Sequence, residues 1–339
     1  MFGAHSTDQR NLVSVTAPAR LHMGFIDLGG TLGRQFGSIG VGVNEIATRL
    51  TLTGADQLHC AGPSAERAYK AARKFAASFG VDERLFIQVD EAIPEHVGLG
   101  SGTQMALAVG MGMTRFHGLP LSVRDIARTI ERGARSGIGI AVFEQGGLIV
   151  DGGRGARTDT PPVLARMEIP QTWRFVLIFD ERGQGLHGKQ EVEAFDTLPP
   201  FPREETARLC HLLLMRALPA LAEADIEGFG EVITELQRSV GDHFAPAQGG
   251  RFTSPEVGAA LDWLGAHGAV CLGQSSWGPT GFCLLDSAEQ AERLIFSANQ
   301  RFAGLSFSVA SARNQGAQVL TGLPSPEAGA DVFRRHGAG

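Results

Sequence analysis

Strand-like and helix-like runs alternate through the first half of the chain. LVSVTA (12–17), RLHMGFID (20–27), VGVNEIATRLTLT (41–53) and RLFIQVDEAI (84–93) carry the β-branched and apolar runs expected of strands. Between the last two, residues 64–79 place Ala68, Ala72, Phe75 and Phe79 on one face of a helix, with Ser64 as its N-cap. The pattern predicts a second helix from the glycine loop near 100 to about His117. A third runs from Ser122 to Gly133, capped by Ser122 and with Asp125 in its first turn. The stretch DGGRGARTDTPP (151–162) then breaks the rhythm and marks a boundary there or just beyond. Domains of 1–165 and 166–325 follow, with a polar tail at 326–339. The second half opens on a strand at 173–179. Helices are expected at about 203–224, 226–240 and 254–267, and strands near 269–273, 280–286 and 304–310 around a helix at 287–300. Strands and helices in mixed order, without a regular βαβ succession, predict an α+β fold and not a doubly wound parallel sheet.

The length of 339 residues suits two domains of ordinary size, large enough to fold without disulfide or metal staples. A net charge of −6 and a mixed-sign surface exclude a disordered chain and speak against a nucleic-acid partner, which selects a basic face. Cys60, Cys210, Cys271 and Cys283 show no C-x-x-C spacing and read as reduced thiols of a cytoplasmic protein. No secretory signal opens the chain, and no apolar run approaches the roughly 18 residues a membrane span needs. Glycine, at 45 residues, is about double its usual share of roughly 7% and is gathered in short loops.

Three of those loops carry candidate chemistry. In PEHVGLGSGTQMALAVG (94–110) a strand ends, Gly98, Gly100 and Gly102 alternate, and Ser101, Thr103 and Gln104 open an apolar helix. Such a loop lets the backbone close on an anion, which the first helical N–H groups also attract. It is not a Walker A loop, because no lysine follows the last glycine. A plain strand-to-helix turn needs fewer glycines and hydroxyls. In PARLHMGFIDLGGTLGRQFGSIGVGV (18–43), Arg20 and His22 share one face of a strand, Asp27 ends it and Arg34 follows in a glycine-punctuated loop. Cations with one acid suit a phosphate- or carboxylate-bearing substrate, with a charged hairpin as the plainer reading. The third loop, CLGQSSWGPTGFC (271–283), holds Ser275, Ser276 and Trp277 between two strands and reads equally as a turn. RGQGLHG matches a dinucleotide fingerprint in spacing only, since prolines downstream deny it a crossover helix. The scattered histidines make no H-x-x-x-H zinc pair.

With these three clusters in order, residues 12–312 resemble the GHMP kinase superfamily: Pro18–Leu21, Pro94–Gln104 and Gly273–Gly281 look like its three motifs. The resemblance implies a ribosomal-protein-like N-terminal domain and a ferredoxin-like C-terminal one. Kinases of that family carry an aspartate in a Ser-Gly-x-Asp context that activates the accepting hydroxyl, whereas here ARSGIGIAVF has Gly139 at that point. RLHMGFIDLGGTLGRQFGSIGVGV, GARSGIGIAVFEQGGLIVDGG (133–153), GLHG (185–188) and GQSSWGPTG are similar instead to a non-kinase branch, the β-ribofuranosylaminobenzene 5′-phosphate synthases.

That resemblance implies condensation of phosphoribosyl pyrophosphate with 4-aminobenzoate or 4-hydroxybenzoate. CO2 and pyrophosphate leave, without ATP or an organic cofactor, in tetrahydromethanopterin biosynthesis. It assigns the pyrophosphate to Gly98–Thr103, anionic groups to Arg20 and Arg34, the cationic sugar to Asp27, and the same pocket wall to His22. His187 and Lys189 are second-rank phosphate or carboxylate contacts, and Ser275, Ser276 and Trp277 close the site. Glu144 and Asp151 are the candidate ligands for Mg2+ on the pyrophosphate, with surface acids as the plainer reading. An ATP-dependent small-molecule kinase and a non-catalytic scaffold of the same fold are the competing readings. An apolar late strand pair would permit a homodimer, and neither nucleic acid nor membrane is expected as a partner.

Overall fold

The computed structural model describes residues 12–130, 133, 135–182, 194–195 and 197–322. Its first sheet is built on one long antiparallel hairpin, β1 (Leu12–Asp27) with β3 (Gly37–Gly54), between which lies the short β2 (Arg34–Gln35). The two strands expected at 12–17 and 20–27 are a single strand, with a register shift between Pro18 and Ala19 where proline lacks the N–H that a regular ladder uses. Along β1, burial alternates from Leu12 to Ala17 and then becomes nearly continuous to Ile26. The first part packs one face on helices; the second is covered on both faces.

β4 (His59–Ala61), β5 (Leu85–Glu91), β6 (Leu148–Asp151) and β8 (Val163–Met167) extend this sheet, and β13 (Gln318–Gly322) pairs with β1 at its far edge. β7 (Arg154–Gly155) forms a separate ribbon with β2. Helices α1 (Ala65–Phe79), α2 (Ser101–Phe116), α3 (Val123–Thr129) and α4 (Ile138–Gln145) pack here, α2 buried nearly all round. Ser122 caps α3 as expected and forms a reciprocal capping box with Asp125, but the helix ends at Thr129, short of Gly133. Ser64 precedes α1 in a left-handed conformation and does not cap it; its hydroxyl donates to Glu95 Oε1 at 2.7 Å.

The second sheet comprises β9 (Arg174–Phe179), β10 (Val270–Gln274), β11 (Gly281–Leu285) and β12 (Ser306–Ser311), all pairs antiparallel, in the order β10-β11-β9-β12. Numbered within the domain this is 2-3-1-4, the ferredoxin-like order. Before β10 the chain runs through α5 (Arg203–Leu212), a π turn (Leu213–Ala217), α6 (Leu218–Ala222), α7 (Ile226–Gln248) and α8 (Pro255–Ala266). α9 (Ala288–Arg301) joins β11 to β12. α7 outruns the expected end at 240 because Gly241 and Phe244 continue its buried face.

One buried cluster joins Leu21 and Met23 of β1, Phe175 and Leu177 of β9, and Leu236 and Phe244 of α7, so the two sheets share a core. The expected cut at 165/166 falls inside β8, which runs to Met167, and residues 318–322 return to the first sheet. The tail at 326–339 lies outside the described residues. Among the described residues no helix is long and apolar enough to cross a membrane.

Candidate active site

The glycine loop is where the first sheet, α2 and the second domain meet. Gly98 and Gly100 both take left-handed backbone, with φ of 84° and 83°. Gly100 occupies the N-cap position of α2, and no side chain caps the helix. The first N–H groups of a helix have no carbonyl of their own helix to satisfy them, so this end favours an anion. Three contacts fix the loop. The Arg20 guanidinium donates to the carbonyl of Gly98, its backbone N–H donates to the carbonyl of Leu99 at 3.1 Å, and the Ser275 hydroxyl donates to the carbonyl of Gly98 at 2.7 Å. Gly98 has to be glycine, because an added Cβ would lie 2.2 Å from the Ser275 carbonyl oxygen.

A cavity of about 650 Å3 opens in front of this loop. Gly98, Gly100, Ser101, Gly102, Thr103, Arg20, Ser276 and Trp277 line it, as expected from the sequence, and so do Arg67, Lys70 and Lys74 of α1 and His96, which sequence reasoning missed. Among the described residues that line it, none is a carboxylate. Arg67 pairs with Glu95 at 2.9 Å and meets His96 Nε2 at 3.1 Å, which ties α1 to the loop ahead of the glycines. The missed signal was the i, i+3, i+7 spacing of these cations on the face of α1 opposite its apolar stripe.

Gln104 is fully buried and joins α2 to α4 through a 2.8 Å bond from its Nε2 to the carbonyl of Gly139. Gly139 stands in the first turn of α4, and a Cβ there would lie 3.2 Å from Thr103 Cγ2. The position that bears the kinase aspartate therefore adjoins the start of α2 and carries no side chain.

His22 is buried, and burial, followed by the charge of Arg20, pushes its imidazole down to about 3, so the ring is neutral near pH 7. Its backbone N–H donates to Ser275 Oγ at 3.0 Å. Its Nε2 has no hydrogen-bond partner among the described residues, and the ring lines a separate cavity of about 20 Å3 beside Gln237 and Gln274.

Other expected residues fall elsewhere. Asp27 Oδ1 accepts the N–H groups of Gly29 and Gly30 at 2.9 and 3.0 Å, so this carboxylate organises the turn after β1 and does not line the large cavity. Arg34 donates to the carbonyls of Gly152 and Gly153 at 2.8 and 2.9 Å, stapling the β2–β7 ribbon. Ser275 is fully buried, and its hydroxyl is spent on β1 and the glycine loop, so it holds the wall in place from behind. Trp277, expected to close the site, is 4% exposed and packs on Phe244 at 4.3 Å and Phe195 at 5.5 Å between ring centroids. His187 and Lys189 lie outside the described residues.

The two acids proposed for a metal do not converge on the cavity. Glu144 pairs with Arg124 at 3.2 Å. Asp151 is fully buried and accepts from Ser38 Oγ at 2.6 Å, Gly153 N at 2.8 Å, Gly137 N at 2.9 Å and Ser136 Oγ at 3.3 Å. Burial pushes its carboxyl up to about 6 against those bonds, which makes it the anchor of the turn before α4. Among the described residues no group of three or more His, Cys, Asp or Glu is placed to hold a metal ion.

Comparison with known proteins agrees with this geometry. The family "GHMP kinases N terminal domain" matches residues 66–147, and "GHMP kinases C terminal" matches 217–304. Solved structures with the same fold include mevalonate diphosphate decarboxylase from Staphylococcus aureus (TM-score 0.65, 16% identity, 93% of this chain and 100% of that one). A putative homoserine kinase from Listeria monocytogenes gives a TM-score of 0.61 at 17% identity, over 91% of this chain and 99% of that one. At these identities the likeness speaks for the fold. Sequence relatives are nearer. The β-ribofuranosylphenol 5′-phosphate synthase of Archaeoglobus fulgidus is 34% identical over 91% of this chain and 99% of its own length. The protein of the same name from Methanothermobacter thermautotrophicus is 34% identical over 80% of this chain and 88% of its own. With both halves of the chain matched by the family models and relatives 34% identical over most of its length, the chain belongs to the β-ribofuranosylphenol 5′-phosphate synthase family, an enzyme branch of the GHMP kinase fold.

Proposed function

We propose that the protein joins phosphoribosyl pyrophosphate to 4-hydroxybenzoate, releasing pyrophosphate and CO2 and leaving β-ribofuranosylphenol 5′-phosphate, a step toward tetrahydromethanopterin. The observation that carries this reading is the pairing of an anion cradle at Gly98–Thr103 with a glycine at position 139. Such a site holds a phosphoanhydride but offers no carboxylate there to activate a hydroxyl for phosphoryl transfer. The phenol in the relatives' name favours 4-hydroxybenzoate over 4-aminobenzoate.

The chemistry asks little of the side chains beyond charge and position. Pyrophosphate leaves the anomeric carbon as the bond to the aromatic carbon bearing the carboxylate forms. Loss of CO2 from that carbon then returns the electron pair to the ring. Charge building on the departing pyrophosphate meets the start of α2 and Arg20, which are already held in place. Arg20 keeps the loop closed while lining the cavity, and Ser276 and Trp277 form the facing wall. Neutral His22 supports that wall from behind, since its carbonyl accepts the Ser276 N–H at 3.2 Å. Asp27 and Arg34 act through the loops they organise. Among the described residues the cavity lining has no carboxylate, and a divalent cation would enter with the donor as part of the substrate complex.

The test is product identification from the purified protein with phosphoribosyl pyrophosphate and each benzoate in turn, without ATP. The expected product is the phenol C-riboside phosphate from 4-hydroxybenzoate. The aminobenzene product alone would correct the acceptor, and phosphorylation of a hydroxyl only when ATP is added would replace the reading by a kinase.

A further inference from the structure

Taking the synthase reading as its basis, we infer that the cationic face of α1 is a second anion subsite, which holds the 5′-phosphate of the ribosyl donor while the α2 loop holds the pyrophosphate. The cavity is cationic on two walls. One is the start of α2 with Arg20; the other is the row Arg67, Lys70 and Lys74. At 1.5 Å per residue, positions 67 to 74 span about 10 Å along α1, so a phosphate at this wall has more than one cation within reach. Ala71, Met105, Ala106 and Ile130 also line the cavity and supply apolar surface suited to the carbon skeleton of a sugar.

The distribution of charge selects the ligand class. A nucleoside triphosphate concentrates its charge at one end and presents a neutral base at the other, which calls for an apolar slot opposite the cradle. A ribose with phosphate at C5 and pyrophosphate at C1 is anionic at both ends, which calls for cations on both walls. The row is also braced. Lys70 pairs with Glu66 at 2.5 Å and Arg67 with Glu95 at 2.9 Å, and neither acid lines the cavity. These ion pairs hold Arg67 and Lys70 in place and leave Lys74 as the third cation of the row.

The subsites are separable with two small probes, ribose 5-phosphate and inorganic pyrophosphate, each titrated calorimetrically into the full chain. In the double variant Lys70→Gln/Lys74→Gln, ribose 5-phosphate should bind about tenfold or more weakly, while pyrophosphate changes by less than about threefold. Lys70→Gln/Lys74→Arg should regain most of the ribose 5-phosphate affinity lost in that double variant. In Gly98→Ala the order should reverse, with pyrophosphate the more affected probe. Equal weakening of both probes in the lysine variant would reduce the row to a diffuse field, and unchanged ribose 5-phosphate binding would remove it from the site; either result overturns the inference. Wild-type turnover of phosphoribosyl pyrophosphate is measured alongside. If it proceeds, a failed lysine result rejects the subsite alone; if it is absent, the synthase reading itself falls.

Discussion

The hydroxyl of Ser275 donates to the carbonyl of Gly98 at 2.7 Å, across 177 residues of sequence. The same oxygen accepts the backbone N–H of His22 at 3.0 Å. One buried side chain thus sets three segments against each other: β1, the glycine loop and the turn after β10. Ser275→Ala leaves the His22 N–H and one bond of the Gly98 carbonyl unsatisfied in a dry interior. It should destabilise the fold by about 1–3 kcal/mol and raise the donor KM several-fold. Thermal melting and steady-state kinetics check this; an unchanged melting point together with an unchanged KM would remove Ser275 from the account.

Two glycines with similar backbone separate local strain from collision. Gly80 ends α1 at φ 64° with nothing within 4 Å of an added Cβ, whereas at Gly98 the same atom meets the Ser275 carbonyl at 2.2 Å. Gly80→Ala should cost about 1–2 kcal/mol of stability and leave catalysis unaltered. Gly98→Ala should displace the cradle and lower kcat/KM by about a hundredfold. Similar activity losses in the two variants would contradict the distinction.

Gly139→Asp tests the acid-free reading of the cradle. The new carboxylate would start from a Cβ 3.2 Å from Thr103 and set a negative charge beside the start of α2. Repulsion of the pyrophosphate should raise the donor KM by about tenfold or more. A donor KM equal to that of the wild type would show that position 139 does not face the anion.

Asp151 gives a pH signature of its own. Its carboxyl sits at about 6 in the folded chain against a usual 3.8, so between those values the folded state keeps a proton that the unfolded state has lost. Its contribution is therefore greatest below pH 3.8 and is lost as pH rises toward 6, by about 3 kcal/mol. Asp151→Asn cannot ionise, so the wild-type stability measured against this variant should fall across that window and level off above it. Denaturant titrations from pH 4 to 8 measure the difference, and a difference independent of pH would contradict the raised value.

Most elements and the glycine loop were legible in sequence because their signals are local. Alternating glycines with two hydroxyls at the start of an apolar run locate the 98–103 loop, and Ser122 with Asp125 locates the start of α3. Residues acting across the fold were not. Arg67, Lys70 and Lys74 showed helical spacing, but only the packing of α1 beside α2 turns that face toward the cavity. Ser275 reads as a residue closing the site on the substrate, because the partners that engage its hydroxyl are remote in sequence. Asp27 and Arg34 read as substrate contacts, yet both make structural bonds: D-L-G-G already spells an acid capping the N–H groups of its own turn, whereas the carbonyls of Gly152 and Gly153 that hold Arg34 are remote in sequence. β13 was missed because five residues with little burial carry almost no pattern.

The most direct measurement of the central claim is the stoichiometry of turnover with carboxyl-labelled 4-hydroxybenzoate and phosphoribosyl pyrophosphate, in the absence of ATP. The account predicts labelled CO2 and pyrophosphate in equal amounts, with the rate lowered in Gly98→Ala and Gly139→Asp. Folded wild-type protein that releases no CO2 from this benzoate or from its 4-amino analogue would contradict it.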